Sequence, residues 1–515
     1  MNHSTGDNKQ LLTYVVRGLF VSLLLAFVPI NGLAHAKLVR SEPKARASFS
    51  TAPKLVEIWF SEELEPGLTT IEVTDQQGTR VDRGEVTLSE ANKKAQIELG
   101  ALSAGVYTVT WKAVAGDEHT MRGSFTFSLT TPSAAPATGT AATGQTTGTQ
   151  PTSTPMPAMS PEEDQGAQIS WGQTLVRWLS YLAMMTLFGG FAFRSLVLVP
   201  AFRRALEGAE RAQAAAASER RALLLSWMSI VLLFFASITA LVMQAANVFD
   251  KSLGESLSLD VLGRVLSTGY GPFWIFQIAS VGAITLILVL LTERVRQNPS
   301  REHSGLWWAG LVGSAVLLMA PSWTGHAMVA IKHFRLAVFT DWLHLLAGGF
   351  WVGGLFHLAL TLPPALPLLS KSRRTIALHH VIKSFTRVAM PSVVLLVLAG
   401  LYNTWAHIPR LQAFWMTPYG KTLGIKLLIV GVMLLLGGLN NFHFGKRAAR
   451  LVAAENADSN AAEEAKLERG FCRSVAFEAA LGAVVLLVTA VLVFMTPARN
   501  HPAMTAAETE QKLSR

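Results

Sequence analysis

Eight apolar stretches set the terms for most of this chain, at about residues 173–199, 222–247, 272–292, 306–321, 335–361, 388–406, 422–440 and 475–496. Each is long enough, or in the weakest case (the fourth) nearly so, to cross a bilayer as a helix. Composition agrees: with 50% hydrophobic and 15% charged residues, the 515-residue chain argues against a wholly soluble protein. The sequence therefore predicts an eight-helix transmembrane α-bundle with the lipid bilayer as its solvent.

Against that background a few polar residues stand out. The stretch Trp323 to Leu358 carries Asp341 and His344, three apart and on one helical face, followed by Gly349 and Gly353, a small-xxx-small surface that lets another helix come close. An ionisable group at membrane depth costs at least about 2.5 kcal/mol unless it is paired or wet, so by default it marks a substrate or ion pathway. A histidine that merely bonds a neighbouring helix is the plain alternative for His344.

The N-terminus gives the orientation. Lys9 and Arg17 precede an apolar run from Gly18 to Ile30 and then Gly-Leu-Ala, which reads residues 1–34 as a secretory signal. The following domain is then exported, and the loops near 200–221, 293–305, 362–387 and 441–474 face the cytoplasm. Those loops hold 19 Lys and Arg, far more than the loops between them, as the positive-inside rule requires. Met243 then ends helix 2 and Met319 ends helix 4, on the outer side. His326 and Met328 lie in the outer 4–5 loop, Asp341 and His344 in the outer half of helix 5. Asn403 and His407 close helix 6, and Lys426 sits about one turn into helix 7. Asp341 and Lys426 are expected to compensate each other's charge, the alternative being that Lys426 snorkels outward. A methionine at a helix end ordinarily packs. Several converging with histidines at one depth describe instead a metal path through His326, His344, Met243, Met319, Met328 and His407. His357, His443 and Glu478 occupy the inner half with fewer companions.

Between signal and bundle the pattern changes twice. Residues 35–130 carry short alternating runs at 54–61, 70–74, 85–88, 96–99, 105–114 and 124–129, separated by turn residues, which predicts an antiparallel all-β sandwich or barrel. Residues 131–168 are Thr, Ala, Pro, Gly and Ser with almost no apolar periodicity, a flexible linker. The membrane domain is expected over 169–497, with an external tail over 498–515. The sequence pI of about 9.8 does not mean nucleic-acid binding: from His35 to Leu129 there are 11 Lys and Arg against 13 Asp and Glu, so the excess charge lies in the membrane loops. The single cysteine, Cys472, excludes an intramolecular disulfide and any CxxC motif.

Gly116-Asp117-Glu118-His119 follows a predicted strand, and residues two apart in an extended segment point to one side. If the signal is cut after Ala34, His35 offers an α-amine and an imidazole from one residue; a cut after Ala36 removes it. His35, Asp117 and His119 together make a set of N and O donors that suits Cu(II), and Zn(II) can be accommodated. A solvated Asp-Glu-His loop is the plain alternative.

The stretches His35-Ala36-Lys37-Leu38, Ser41-Glu42-Pro43, Trp59-Phe60-Ser61, Gly105 through Trp111, Asp117-Glu118-His119 and Gly123-Ser124-Phe125-Thr126-Phe127 resemble the copper-binding CopC family. Gly325-His326-Ala327, His344-Leu345-Leu346-Ala347, Trp351-Val352-Gly353-Gly354, Gly400-Leu401-Tyr402-Asn403 and the segment from Lys421 through Lys426 to Asn440 resemble CopD. The resemblance implies a CopC–CopD fusion of the YcnJ-like kind: a Greek-key β domain in the periplasm, binding Cu(II) through His35, Asp117 and His119, followed by an inner-membrane CopD domain. Two departures are visible. Glu118 stands where the family usually has Gly, and Met121 is the only methionine between His35 and Leu129, so the Met-rich Cu(I) loop of many CopC proteins is missing.

Copper import, with periplasmic copper donors as possible partners, is the first function expected. Periplasmic sequestration without transport is the second. A haem-binding redox protein is the third, with His357 and His443 as the inner pair. The chain shows no P-loop or other ATPase motif and is not expected to be an enzyme, which leaves gradients or downstream binding as the energy source.

Overall fold

Strict alternation builds the β unit. In β3 (Leu55–Phe60) Val56, Ile58 and Phe60 point inward, in β4 (Thr70–Thr74) Ile71 and Val73, and in β7 (Gly105–Val114) Tyr107, Val109, Trp111 and Ala113. With β1 (Leu38–Glu42), β2 (Ser48–Phe49), β5 (Asp82–Ser89), β6 (Lys94–Leu99) and β8 (Thr120–Leu129) they form two four-stranded sheets, ordered β1-β3-β6-β5 and β2-β8-β7-β4. The inner faces share one apolar core, as a period-two pattern with one buried face demands. All pairings are antiparallel except β2 with β8. Gly123 is required on β8, because a Cβ there would lie 2.5 Å from the Trp111 ring that covers it.

The structure, a computed structural model, describes residues 38–60, 63–114, 120–130, 170–298, 303–324, 334–408, 410–453, 461–495 and 498, in two units. The predicted signal at 1–34, the linker at 131–168 and the tail beyond residue 498 lie outside the described residues.

The second unit is helical. Among the described residues eight helices are long and apolar enough to cross a membrane: α1 (Trp171–Ala205), α2 (Gly208–Phe249), α3 (Tyr270–Gln297), α4 (Ser304–Trp323), α5 (Leu336–Leu360), α6 (Arg373–Trp405), α7 (Pro418–Ala453) and α8 (Ala462–Val493). α1 is the centre: 72% of its apolar window is buried, against 11% for α7. α5 reaches it because both carry glycine at the crossing. A Cβ on Gly353 would lie 2.2 Å from the Met185 carbonyl oxygen, and one on Gly189 would lie 2.3 Å from the backbone of Gly353. Such backbone approach is the usual function of small-xxx-small surfaces in membranes. Three π-helical turns interrupt the described helices, at Arg194–Leu198, Gly349–Gly353 and Asn440–Gly445. At the first of them the buried Arg194 pairs with Glu219 of α2 and lies 5.0 Å over the Trp307 ring. Each charge there is compensated, as burial requires.

Candidate functional site

In the β unit the framework brings two segments to one end. Leu38, where β1 starts, pairs with Phe60, and the Phe60 ring meets Trp111 edge-on at 5.3 Å. Trp111 lies near the end of β7, whose hairpin with β8 is closed by Val114 opposite Thr120. The start of β1 and the Val114–Thr120 end of the β7–β8 hairpin therefore lie at the same end of the sandwich. His35, Asp117 and His119 themselves lie outside the described residues.

In the bundle, helices α1, α5, α6 and α7 surround one polar cluster. Asp341 on α5 accepts a hydrogen bond from Asn403 Nδ2 on α6 at 3.3 Å. Its carboxylate interacts electrostatically with Lys426 on α7 and with the phenols of Tyr181 on α1 and Tyr419 on α7. Tyr181 is buried and hydrogen-bonded to Arg177, and Lys426 in turn acts on His344. His344 is half-buried, with Nδ1 3.2 Å from the Leu396 carbonyl oxygen of α6. A carbonyl can only accept, so Nδ1 carries the proton and Nε2 keeps its lone pair. That is how ligating histidines are usually oriented, with one nitrogen anchored by an acceptor and the other free for a metal. Gly400, one turn beyond Leu396, leaves room for the ring: a Cβ there would stand 3.4 Å from Cε1.

The other predicted path residues divide. Met243 packs its methyl group on Gly172 at the start of α1. Met319 is fully buried in the apolar core. His407 belongs to the helix Lys371–His407 on the evidence of its backbone, while His326 and Met328 lie outside the described residues. Among the described residues no three His, Cys, Asp or Glu side chains gather as a metal-holding group. Sequence reasoning passed over Arg177, Tyr181 and Tyr419, whose signal was only a polar residue in or beside an apolar run. It also passed over Met185, buried on α1 with its sulfur 4.0 Å from the position a Gly348 Cβ would take, about one turn along α5 from His344.

The inner histidines are differently placed. His357 is fully buried, with Nε2 2.9 Å from the Thr186 carbonyl and Nδ1 2.9 Å from Thr361 Oγ1. Nε2–H donates to the carbonyl and Nδ1 accepts from the hydroxyl, so neither nitrogen is left for iron. His443 is exposed and stacks edge-on against Phe444 at 5.1 Å.

Comparison with known proteins follows the same division. Residues 38–130 match the CopC domain, residues 167–333 the copper resistance protein D-like N-terminal domain, and residues 379–492 copper resistance protein D. The chain is 26% identical over 495 residues, 93% of its length, to the copper transport protein CutJ of Bacillus subtilis, covering 77% of that protein. Over 119 residues it is 32% identical to copper resistance protein C of Pseudomonas syringae pv. tomato, covering 94% of that protein and 21% of this chain. Among solved structures, PcoC, a methionine-rich copper resistance protein from Escherichia coli, aligns with 19% of this chain and 100% of its own, at 29% identity and a TM-score of 0.17.

Proposed function

Since the chain belongs to the CopC–CopD fusion family, we propose that it captures copper outside the cytoplasmic membrane with its β unit and carries the ion inward through the helical bundle. The observation that carries this reading is His344. Its Nδ1 is anchored on Leu396, its Nε2 makes no hydrogen bond among the described residues, and it stands in a cluster with Asp341, Lys426 and Asn403 inside otherwise apolar helices. Copper is cargo here. Nε2 of His344 would take it as a ligand, with His326, His407 and the methionines Met243, Met319 and Met328 as further donors along the path. Asp341 and Lys426 would keep the cavity electrically balanced when it is empty.

For capture, the chelate would be the amine and imidazole of His35 with Asp117 and His119, and it exists only if the mature chain begins at His35. N-terminal sequencing reads that directly. Residues 35–130 are expected to bind one Cu(II), weakened most by His119→Ala and less by Asp117→Ala, because imidazole is the better-matched donor. Binding should also fade as the pH falls through the imidazole range, since only the neutral ring binds metal. A titration in which both variants match the parent protein removes these ligands from consideration.

The transport test is cellular copper content with and without the gene. Uptake predicts less copper in cells lacking it, and His344→Ala should reproduce that loss at unchanged protein level. Equal copper content with greater copper sensitivity would mean sequestration instead. Two bonded nitrogens on His357 speak against the haem reading, and an absorption spectrum of the purified protein tests it.

A further inference from the structure

The inner half of the bundle holds a carboxylate that the copper path does not use. Glu478 lies on α8 about 7 Å along the axis past Arg473, and its residue is 2% exposed. Asn440 Nδ2 donates to Oε2 at 2.9 Å, and Asn440 Oδ1 accepts from Ser474 Oγ at 2.6 Å. Among the described residues Oε1 is buried and meets no donor in good hydrogen-bond geometry. It faces Gly437, whose Cβ would lie 3.2 Å away, so a side chain there would crowd the oxygen. Trp351 on α5 directs its indole N–H at the carboxyl as a second, looser donor.

No charged group among the described residues acts on this carboxyl. Several titratable groups on the helices packed against α8 have other neighbours. Arg177 bonds Tyr181, His357 is bonded on both nitrogens, and His443 stacks on Phe444. His379 and His380 lie against each other within the field of Arg204, Lys383 and Arg387, while Arg374 reaches Glu468 and Arg447 reaches Glu463. An ionised carboxylate so isolated in hydrocarbon costs several kcal/mol, and taking up a proton removes that cost. The surrounding backbone is irregular as well: Asn440 opens one π-turn and Trp351 sits in another. Such turns recur at functional sites because they release backbone groups and permit small shifts.

We propose that Glu478, held by Asn440 and Ser474, is a proton-binding site through which copper movement is coupled to proton movement across the membrane. Oε1 takes the proton, because Oε2 already accepts from Asn440. Uptake from one side turns the carboxylate into the acid, and release to the other side restores it, with no electron transferred. The inference rests on the copper-transport reading and supplies the gradient that a bundle without an ATPase motif needs.

The test uses the full-length protein in liposomes with a pH-sensitive dye inside and copper ions supplied outside. Copper movement should be accompanied by a change in internal pH and accelerated by an imposed pH gradient. Glu478→Gln, which keeps the shape and an acceptor for Asn440, should abolish both responses. Infrared spectroscopy of the same proteins gives a readout independent of transport: the carbonyl stretch of a protonated carboxyl should be present in the parent and missing in Glu478→Gln. Copper movement without any pH change in the parent overturns the coupling and leaves transport standing. If copper does not move but the infrared band vanishes with Glu478→Gln, the transport reading and the coupling fall, and Glu478 stands as a proton site. An unchanged band or an unchanged pH response in the variant overturns Glu478 itself. If the Gln variant does not fold, Glu478→Asp retains an acid displaced from Asn440 and should shift the pH profile of uptake; an unshifted profile overturns the assignment.

Discussion

His344 and His357 stand on the same helix, and their surroundings separate them more than their depth does. Near His344 the neighbouring helices offer a single carbonyl, from Leu396, together with a carboxylate, an ammonium and an amide. Around His357 they offer an acceptor for one ring nitrogen and a hydroxyl for the other, in a fully buried slot between Phe193 and Gly190. A histidine whose two nitrogens are both taken is scaffold. One with a single nitrogen anchored is oriented and still able to bind. Counting partners on each nitrogen therefore says more about function than counting histidines at a given level of the membrane.

Truncation should expose the difference most strongly. His357→Ala removes two hydrogen bonds, takes the partner from the buried Thr361 hydroxyl and leaves a cavity, for a cost of about 3 kcal/mol. Protein level and thermal stability in detergent should fall together. His344→Ala loses one hydrogen bond at a half-buried site, about 1 kcal/mol, and should leave the level intact while copper uptake disappears. Stable protein from His357→Ala, or unstable protein from His344→Ala, would reverse the two assignments.

The charges beside His344 provide the next contrast. Lys426→Met strands the Asp341 carboxylate with its amide and phenol neighbours, a loss of about 3 kcal/mol for a buried partner and less at this half-buried site. Adding Asp341→Asn removes the stranded charge, so the double variant should be more stable than Lys426→Met alone. Thermal denaturation of the three proteins measures the coupling. Simple additivity would mean that Lys426 reaches solvent on its own.

Much of this could be read from the residues, for reasons that differ by region. The eight spans were legible because hydrocarbon tolerates few charges, although the helices run on beyond the apolar cores: α2 begins at Gly208 where the apolar run begins near 222, and α6 at Arg373 where it begins near 388. Six strands were legible from alternation. β1 was not, since in Leu38–Glu42 only Ser41 is buried, and β2 is a two-residue pairing with no pattern to show. The Gly349 and Gly353 surface was visible as spacing, but its partner, Gly189 on α1, emerged only from packing. Hydrogen-bond inventories were not legible at all. The sequence showed His344 and His357 as two intramembrane histidines, and showed Glu478 without the long-range bond from Asn440 that marks it.

A last contrast comes from the glycines that face the two rings. At Gly190 an added Cβ would lie 2.8 Å from His357 Nε2 and 2.9 Å from Cε1, and the ring cannot retreat without breaking its bonds to Thr186 and Thr361. Gly190→Ala should therefore cost about 1–3 kcal/mol, the usual range for overpacking a closed core. At Gly400 the new methyl would meet His344 Cε1 at 3.4 Å and Nδ1 at 3.7 Å, ordinary van der Waals contact against a ring held on one side only. Alanine also favours the helix over glycine, by up to about 1 kcal/mol, so Gly400→Ala should be neutral or slightly stabilising. Copper uptake is the sharper readout at this position. If His344 binds copper with its ring seated on Leu396, Gly400→Ala retains uptake. If uptake is lost while stability is kept, the ring must swing toward α6 during transport, and the anchored geometry is only one of the states through which copper passes.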